Sequence, residues 1–135
     1  MLETEMMAKG VAFLSKKTQY KIVKQEVPFL SRCIDVVLID NNNEIVSIEF
    51  KICKWRHAIE QAINHRLGAD RSYICLPKRR ITPFLTDALK ESGVGLLLFD
   101  EECDEMITEV FPAAEVPANI PAFRKMLAEN INKIS

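Results

Sequence analysis

The stretch Ile34-Asp35-Val36-Val37-Leu38-Ile39-Asp40-Asn41-Asn42-Asn43-Glu44-Ile45-Val46-Ser47-Ile48-Glu49-Phe50-Lys51 decides the fold of this 135-residue chain. Its first limb is rich in β-branched residues and reads as a strand. Asn41-Asn42-Asn43 is turn chemistry, because asparagine tolerates positive φ and bonds its own backbone. Glu44 to Ile52 resumes as a second strand. If Asp40 pairs with Glu44 across the asparagines, Asp35 falls directly opposite Glu49. Opposed residues hold their Cβ atoms about 4.5–5.5 Å apart, where like charges are destabilising. Lys51 follows Glu49 by two and projects from the same face.

On that face Asp35, Val37 and Ile39 oppose Glu49, Ser47 and Ile45, while Ile34, Val36 and Leu38 meet Phe50, Ile48 and Val46 on the other. The second set is wholly apolar, so the hairpin is expected to be buried, with its charges confined to one end of one face. Burying carboxylates without a partner is costly, and functional sites are where local rules tend to fail. Two carboxylates forced together beside an ammonium point to a site for a divalent cation. The competing reading is an ion pair of Lys51 with Asp35 or Glu49 at a sheet end, with no metal.

The length fits one domain with a real hydrophobic core. Apolar residues make up 48% and charged residues 27%, ordinary values for a globular protein. Lysine plus arginine (18) nearly balance aspartate plus glutamate (19), for a net charge of −1. That balance excludes a histone-like, wholly electrostatic nucleic-acid binder but leaves room for a local basic groove. Cys33, Cys53, Cys75 and Cys103 form no Cys-x-x-Cys pair, and three lie in or at the ends of expected strands, where a thiol acts as a small hydrophobe. A reducing, cytoplasmic compartment follows, without structural zinc. No apolar run approaches the roughly 20 residues that span a membrane, and the acidic start Met1-Leu2-Glu3-Thr4-Glu5 is unlike a signal peptide.

Working outward, residues 3–17 are expected to be helical, with Met7, Val11 and Leu14 in register and Lys16 and Lys17 complementing the helix dipole. Tyr20 to Val27 alternates as a strand, and Pro28 starts a loop. Trp55 to Leu67 is an amphipathic helix along Ala58, Ile59, Ala62, Ile63 and Leu67, capped by Gly68. Arg71 to Leu76 is a strand. Pro83 to Ser92 is a helix with Thr82 as N-cap, Pro83 at the first helical position and Gly93 at its end. Val94 to Phe99 is a sheet-interior strand, and Met106 to Phe111 an edge strand. Pro112, Pro117 and Pro121 oppose regular structure before a last helix over 122–133, with Phe123, Met126, Leu127, Ile131 and Ile134 available to dock it. The order gives an α/β layered domain, a mixed sheet between helices. Residues 1–111 form the core, and 112–135 a proline-containing connection and C-terminal helix packing on the same domain.

With that order in place, Ile34-Asp35, Glu49-Phe50-Lys51 and Gln61 resemble the PD-(D/E)xK nuclease superfamily, which includes restriction endonucleases and Holliday-junction resolvases. The resemblance covers roughly residues 3–99 and implies a restriction-endonuclease-like αβββαβ core. It places the family's acidic pair at Asp35 and Glu49, its lysine at Lys51 and its helix-borne glutamine at Gln61. An acidic residue on the first helix often completes the set; Glu3 fits best because it shares a face with Met7, Val11 and Leu14, and Glu5 is the competitor. The chain departs from the family in one place, since Ile34 stands where a proline usually precedes the aspartate.

The resemblance implies a metal-dependent nuclease hydrolysing phosphodiester bonds, most naturally in DNA, with Mg²⁺ or Mn²⁺ as cofactor. Mg²⁺ takes oxygen ligands, typically one or two carboxylates plus waters and substrate phosphate. Asp35 and Glu49 would supply the carboxylates and the Phe50 carbonyl a third protein ligand. Lys51 would orient or deprotonate the attacking water. Lys54, Arg56, Lys78, Arg79 and Arg80 are candidate phosphate contacts; a solvated basic loop is the plainer reading of the last three. Trp55 and Tyr73 read as core residues, and neither His57 nor His65 is singled out as catalytic. A homodimer is one way such a site would cut two strands. The alternative function is a catalytically silent nucleic-acid- or protein-binding module on the same fold.

Overall fold

The computed structural model describes residues 1–114 and 119–134. A six-stranded mixed sheet runs in chain order, from β1 (Tyr20–Phe29), β2 (Arg32–Asp40) and β3 (Ile45–Phe50) to β4 (Arg71–Pro77), β5 (Gly95–Phe99) and β6 (Ile107–Phe111). β1, β2 and β3 form an antiparallel meander; β3, β4 and β5 are parallel; β6 returns antiparallel on the far edge. The parallel steps are made by α2 (Trp55–His65) and α3 (Pro83–Ser92), as parallel neighbours require crossovers. Helix α1 (Glu3–Ser15) precedes the sheet and α4 (Pro121–Lys133) follows it.

The hairpin pairs in the register read from its asparagine turn, Val36 with Ile48 and Ile39 with Ile45. Alternation then sorts the two faces. Val36, Leu38, Ile48, Phe50 and Cys75 pack with Met6 and Leu14 of α1. On the other side Ile74, Leu76 and Leu96 pack with Ala58, Ile59 and Ala62 of α2 and Leu85 and Leu89 of α3. Val37 and Ile45 meet Leu127 and Ile131 of α4. The last helix is also tied by Asp70, which accepts from Arg124, Asn119 and the Ile45 N–H at 2.8–3.2 Å. Between the serines of β3 and β4, Ser47 and Ser72 share a 2.7 Å hydrogen bond, so neither buried hydroxyl is left unpaired.

Several local expectations are corrected. β1 continues through Pro28, which pairs with Cys33; β1 is an edge strand, where a missing N–H leaves no gap in the ladder. Ile34 and Val27, which alternation would place under α1, are buried instead with Leu127 and Ile131, beyond a kink at Glu26 with φ 51. Helix α1 stops at Ser15, and Lys17 leaves the dipole to pair with Glu105 and cover the Phe13 ring. Gly68 is no left-handed cap; a Cβ there would lie 2.6 Å from the Phe29 ring, so close packing demands the glycine. Met126 faces solvent, and of the cysteines only Cys75 is buried. Part of the proline connection, 115–118, lies outside the described residues. Among the described residues no helix is long and apolar enough to cross a membrane.

Candidate active site

Because Val36 faces Ile48 across the hairpin, continuing the register by one step sets Asp35 against Glu49 at the open end of β2 and β3. Asp35 is fixed there by the Phe50 N–H, which donates to its Oδ2 at 2.9 Å. Glu49 is only 5% exposed. Burial pushes its carboxyl up to about 9, and the adjacent Asp35 carboxyl, by hydrogen bond and by charge, pushes the same way. Lys51 acts in the opposite direction, which places its ammonium within electrostatic reach. Like-charge repulsion was the effect legible in the sequence; desolvation is the larger one.

Two further groups close on this centre. Glu3, at the start of α1, accepts from the Ile52 N–H at 3.0 Å, so it lies just past Lys51 at the end of β3. Glu5 sits one turn before Lys9, whose charge it supports. Gln61 on α2 is half-buried, and its Oε1 is buried without a hydrogen-bond partner. One turn later His65 brings Nε2 to 3.8 Å from Glu49 Oε2. This contact is too long for a hydrogen bond, and it is no ion pair either. Burial lowers His65 to about 4, so imidazole and carboxyl face each other uncharged at neutral pH without a metal.

Sequence reasoning passed over His65 and Glu26. The spacing of His65, four after Gln61, puts it on the same helix face and was a usable signal. Glu26 adds its charge to the Glu49 environment from the facing stretch of β1. Nothing in the alternation of β1 marks it, because its placement depends on the left-handed backbone at that residue.

Whether the centre suits a hard divalent ion can be judged from its donors. Glu49 Oε2 is a buried oxygen with no partner, opposite a second carboxylate whose Oδ2 accepts from the Phe50 N–H. Among the described residues no three His, Cys, Asp or Glu side chains converge as a closed cage. Two carboxylates are the sparse, all-oxygen set that Mg²⁺ accepts while retaining water. The residues fit.

The remaining candidates gather at the same end of the sheet. Lys54 caps α2 in a left-handed conformation, and the Arg56 guanidinium stacks 4.4 Å from the Trp55 ring. Lys78, Arg79 and Arg80 follow the carboxyl end of β4, next to that of β3; Lys78 lies 3.6 Å from Asp100 and is exposed. Trp55 packs partly into the core, and Tyr73 is buried with its hydroxyl on Glu109. The larger cavity, about 560 Å³, opens on the α1 face near Asp40, Arg71 and Glu109, away from Asp35 and Glu49. A smaller one of about 320 Å³ borders Gln61 and His65.

No protein-family model matches the sequence, and no curated protein is similar to it in sequence. The fold is shared with solved structures. A protein of unknown function from Silicibacter pomeroyi aligns with TM-score 0.68 and 21% identity over 98% of this chain and 86% of that one. A repair endonuclease from Pyrococcus abyssi aligns with TM-score 0.55 and 19% identity over 71% of this chain and 46% of that one. The architecture is therefore endonuclease-like, and this chain corresponds to less than half of that endonuclease.

Proposed function

We propose that this chain is a nuclease of the PD-(D/E)xK type, hydrolysing phosphodiester bonds in DNA with Mg²⁺ or Mn²⁺. The observation that carries the reading is the buried, unpartnered Glu49 oxygen held against Asp35, with Lys51 beside it and cationic side chains around the same sheet end. A protein that only binds phosphate has no use for two carboxylates there. The fold adds that a repair endonuclease is built on this architecture.

Asp35, Glu49 and the Phe50 carbonyl would hold the ion. Bound there, it would polarise a phosphoryl oxygen and lower the pKa of water. Lys51 offsets the charge that builds on the phosphate and orients or deprotonates the attacking water. Gln61 presents an uncharged acceptor, its free Oε1, to position that water or the lysine. Glu3 fixes the Ile52 amide and so the backbone that carries Lys51. Lys54, Arg56 and the Lys78–Arg80 run neutralise flanking phosphates, a contribution that weakens as salt rises.

The test is cleavage of labelled single- and double-stranded DNA and of RNA in Mg²⁺ or Mn²⁺. Asp35→Ala and Glu49→Ala should abolish it with the fold retained. Lys51→Ala should lose roughly 10²–10⁴-fold yet keep metal binding, and Gln61→Ala should be milder. Wild type inert on every substrate would make a catalytically silent binding module the better account. Asp35→Ala cutting as fast as wild type would remove this hairpin from the chemistry.

A further inference from the structure

We infer that His65 is a positioning residue for Glu49: its imidazole stands where it can hold the carboxylate oxygen that does not take the ion, so that Glu49 meets a metal in one orientation. This rests on the metal site of the nuclease reading above and adds a residue to it.

The pairing of buried polar groups comes first. Among the described residues four polar or charged ones are buried, Ser47, Glu49, His65 and Ser72. The two serines satisfy each other at 2.7 Å. The other two do not: Glu49 Oε2 has no hydrogen-bond partner, and His65 Nε2 stops 3.8 Å from it. Buried polar atoms are nearly always paired, so this facing pair is incomplete in the metal-free protein. Bulk solvent does not complete it, because the Glu49 oxygen is enclosed.

The fold gives the imidazole no other role. Helix α2 buries Ala58, Ile59, Ala62 and His65, and the first three pack with Ile74, Leu76 and Leu96. His65 alone of the four is polar, and its Nδ1 is enclosed without a partner. Exchanging such a group for an apolar one of the same shape is nearly neutral or stabilising, so packing alone would be served as well by a hydrocarbon. The unpartnered Nδ1 also leaves the tautomer unfixed, since the hydrogen bond at one ring nitrogen decides which of them carries the proton. Nε2 is thus free to carry it toward Glu49. The helix end that bears the ring is held, because the His65 carbonyl accepts from the Gly68 and Ala69 amides at 3.1 and 2.9 Å. Turning the carboxylate, with the helix fixed, closes the gap to hydrogen-bond distance.

Asp35 supplies the contrast. Its Oδ2 is already oriented by the Phe50 N–H at 2.9 Å. One carboxylate of the pair therefore has a backbone donor, and the other has an imidazole where the equivalent donor would stand. An N–H on a carboxylate is among the stronger hydrogen bonds. Carboxylates that ligate metals are themselves hydrogen-bonded, and losing such a partner costs about 10–100-fold in metal affinity.

The experiment is calorimetric titration of the full chain with Mn²⁺, with urea unfolding in EDTA to read the metal-free fold. His65→Phe keeps the volume and removes the donor; His65→Gln places an N–H near the position of Nε2. His65→Phe should bind Mn²⁺ about tenfold more weakly while being at least as stable as wild type in EDTA, and His65→Gln should recover to within about threefold of wild type. His65→Leu replaces the phenylalanine variant if that one does not fold; failure of both would make His65 structural and overturn the inference. A folded apolar variant that binds Mn²⁺ as tightly as wild type would overturn it too, as would a folded glutamine variant no tighter than the apolar one. Wild type that binds no Mn²⁺ would remove both this inference and the nuclease reading. The expected pattern in a protein that cuts no nucleic acid would support the positioning role and remove the nuclease reading. Active wild type with unchanged affinity in His65→Phe would do the reverse.

Discussion

Replacing Glu49 by glutamine is expected to stabilise the metal-free protein, by an amount that grows with pH. In the fold Glu49 lies nearly inaccessible against Asp35, and its carboxyl is raised from an ordinary 4.5 to about 9 by burial first and by Asp35 second. A raised folded value means that the protonated form favours folding. That contribution is complete below about 4.5 and is lost as pH climbs toward about 9. At pH 7 the unfolded chain has already released the proton that the folded chain keeps. The interval is ~2.5 pH units, which at ~1.4 kcal/mol per unit costs about 3 kcal/mol. This figure requires only that the folded value exceed 7. A glutamine has no proton to retain, and its amide can donate to the Asp35 carboxylate where the protonated acid did. Urea unfolding in EDTA should therefore show Glu49→Gln within ~1 kcal/mol of wild type at pH 5 and more stable by about 3 kcal/mol at pH 7, with unchanged m-values. Adding Mn²⁺ should close the gap at about a hundred times the dissociation constant and reverse the order only near a thousand times, where the gain is ~4.1 kcal/mol. Wild type should gain ~2.7 kcal/mol at a hundred times the dissociation constant, and the variant little. A gap constant from pH 5 to pH 8, or a variant less stable than wild type at pH 8, would refute the account of this pair.

Two further outcomes are accessible to the same methods. Asp70→Asn should cost about 2 kcal/mol at pH 7, because it weakens the bonds from Arg124, Asn119 and the Ile45 N–H. Burial pushes the Asp70 carboxyl up, but those donors outweigh it and hold it below its usual range, so the cost should be present above about pH 4 and fade in more acidic urea titrations. His65→Phe keeps the buried volume but removes the nitrogen facing Glu49; it should weaken Mn²⁺ binding by about tenfold in a calorimetric titration with the melting transition retained, and unchanged affinity would make His65 a packing residue.

What the sequence disclosed follows the reach of its signals. The hairpin register was legible because a one-residue slip would exchange a wholly apolar face for one holding Asp35 and Glu49. Helix α3 was legible because its signals are local: Thr82 accepts from the Leu85 N–H at 3.2 Å, and Gly93 closes the end at φ 75. Gly68 misled because its sequence position suits a cap, whereas the constraint comes from Phe29, far away along the chain. Pro28 misled because only the tertiary fold shows which strand is the edge. The unpaired state of Gln61 Oε1 and His65 Nδ1 is likewise a property of the packed interior, invisible in residue order.

The near-neutral net charge is compatible with a local cationic cluster because the topology brings several lysines and arginines to one end of the sheet. β3 is the strand where the sheet changes from antiparallel to parallel pairing. Its antiparallel partner, β2, brings Asp35 to its carboxyl end; its parallel partner, β4, ends at the same level and releases Lys78, Arg79 and Arg80 there. The chain leaving β3 supplies Lys51, Lys54 and Arg56 before α2 begins. The opposite end of these strands carries Asp40, Glu44 and Asp70, with Arg71 and Arg124 occupied by carboxylates. A carboxylate pair is thus set beside cationic side chains at one end, where the acidic stretch after β5 also begins and Asp100 lies 3.6 Å from Lys78. Crevices at the carboxyl ends of parallel strands are where α/β sheets bind ligands. In this chain that end holds both the groups that would take a metal and the groups that would take a phosphate backbone.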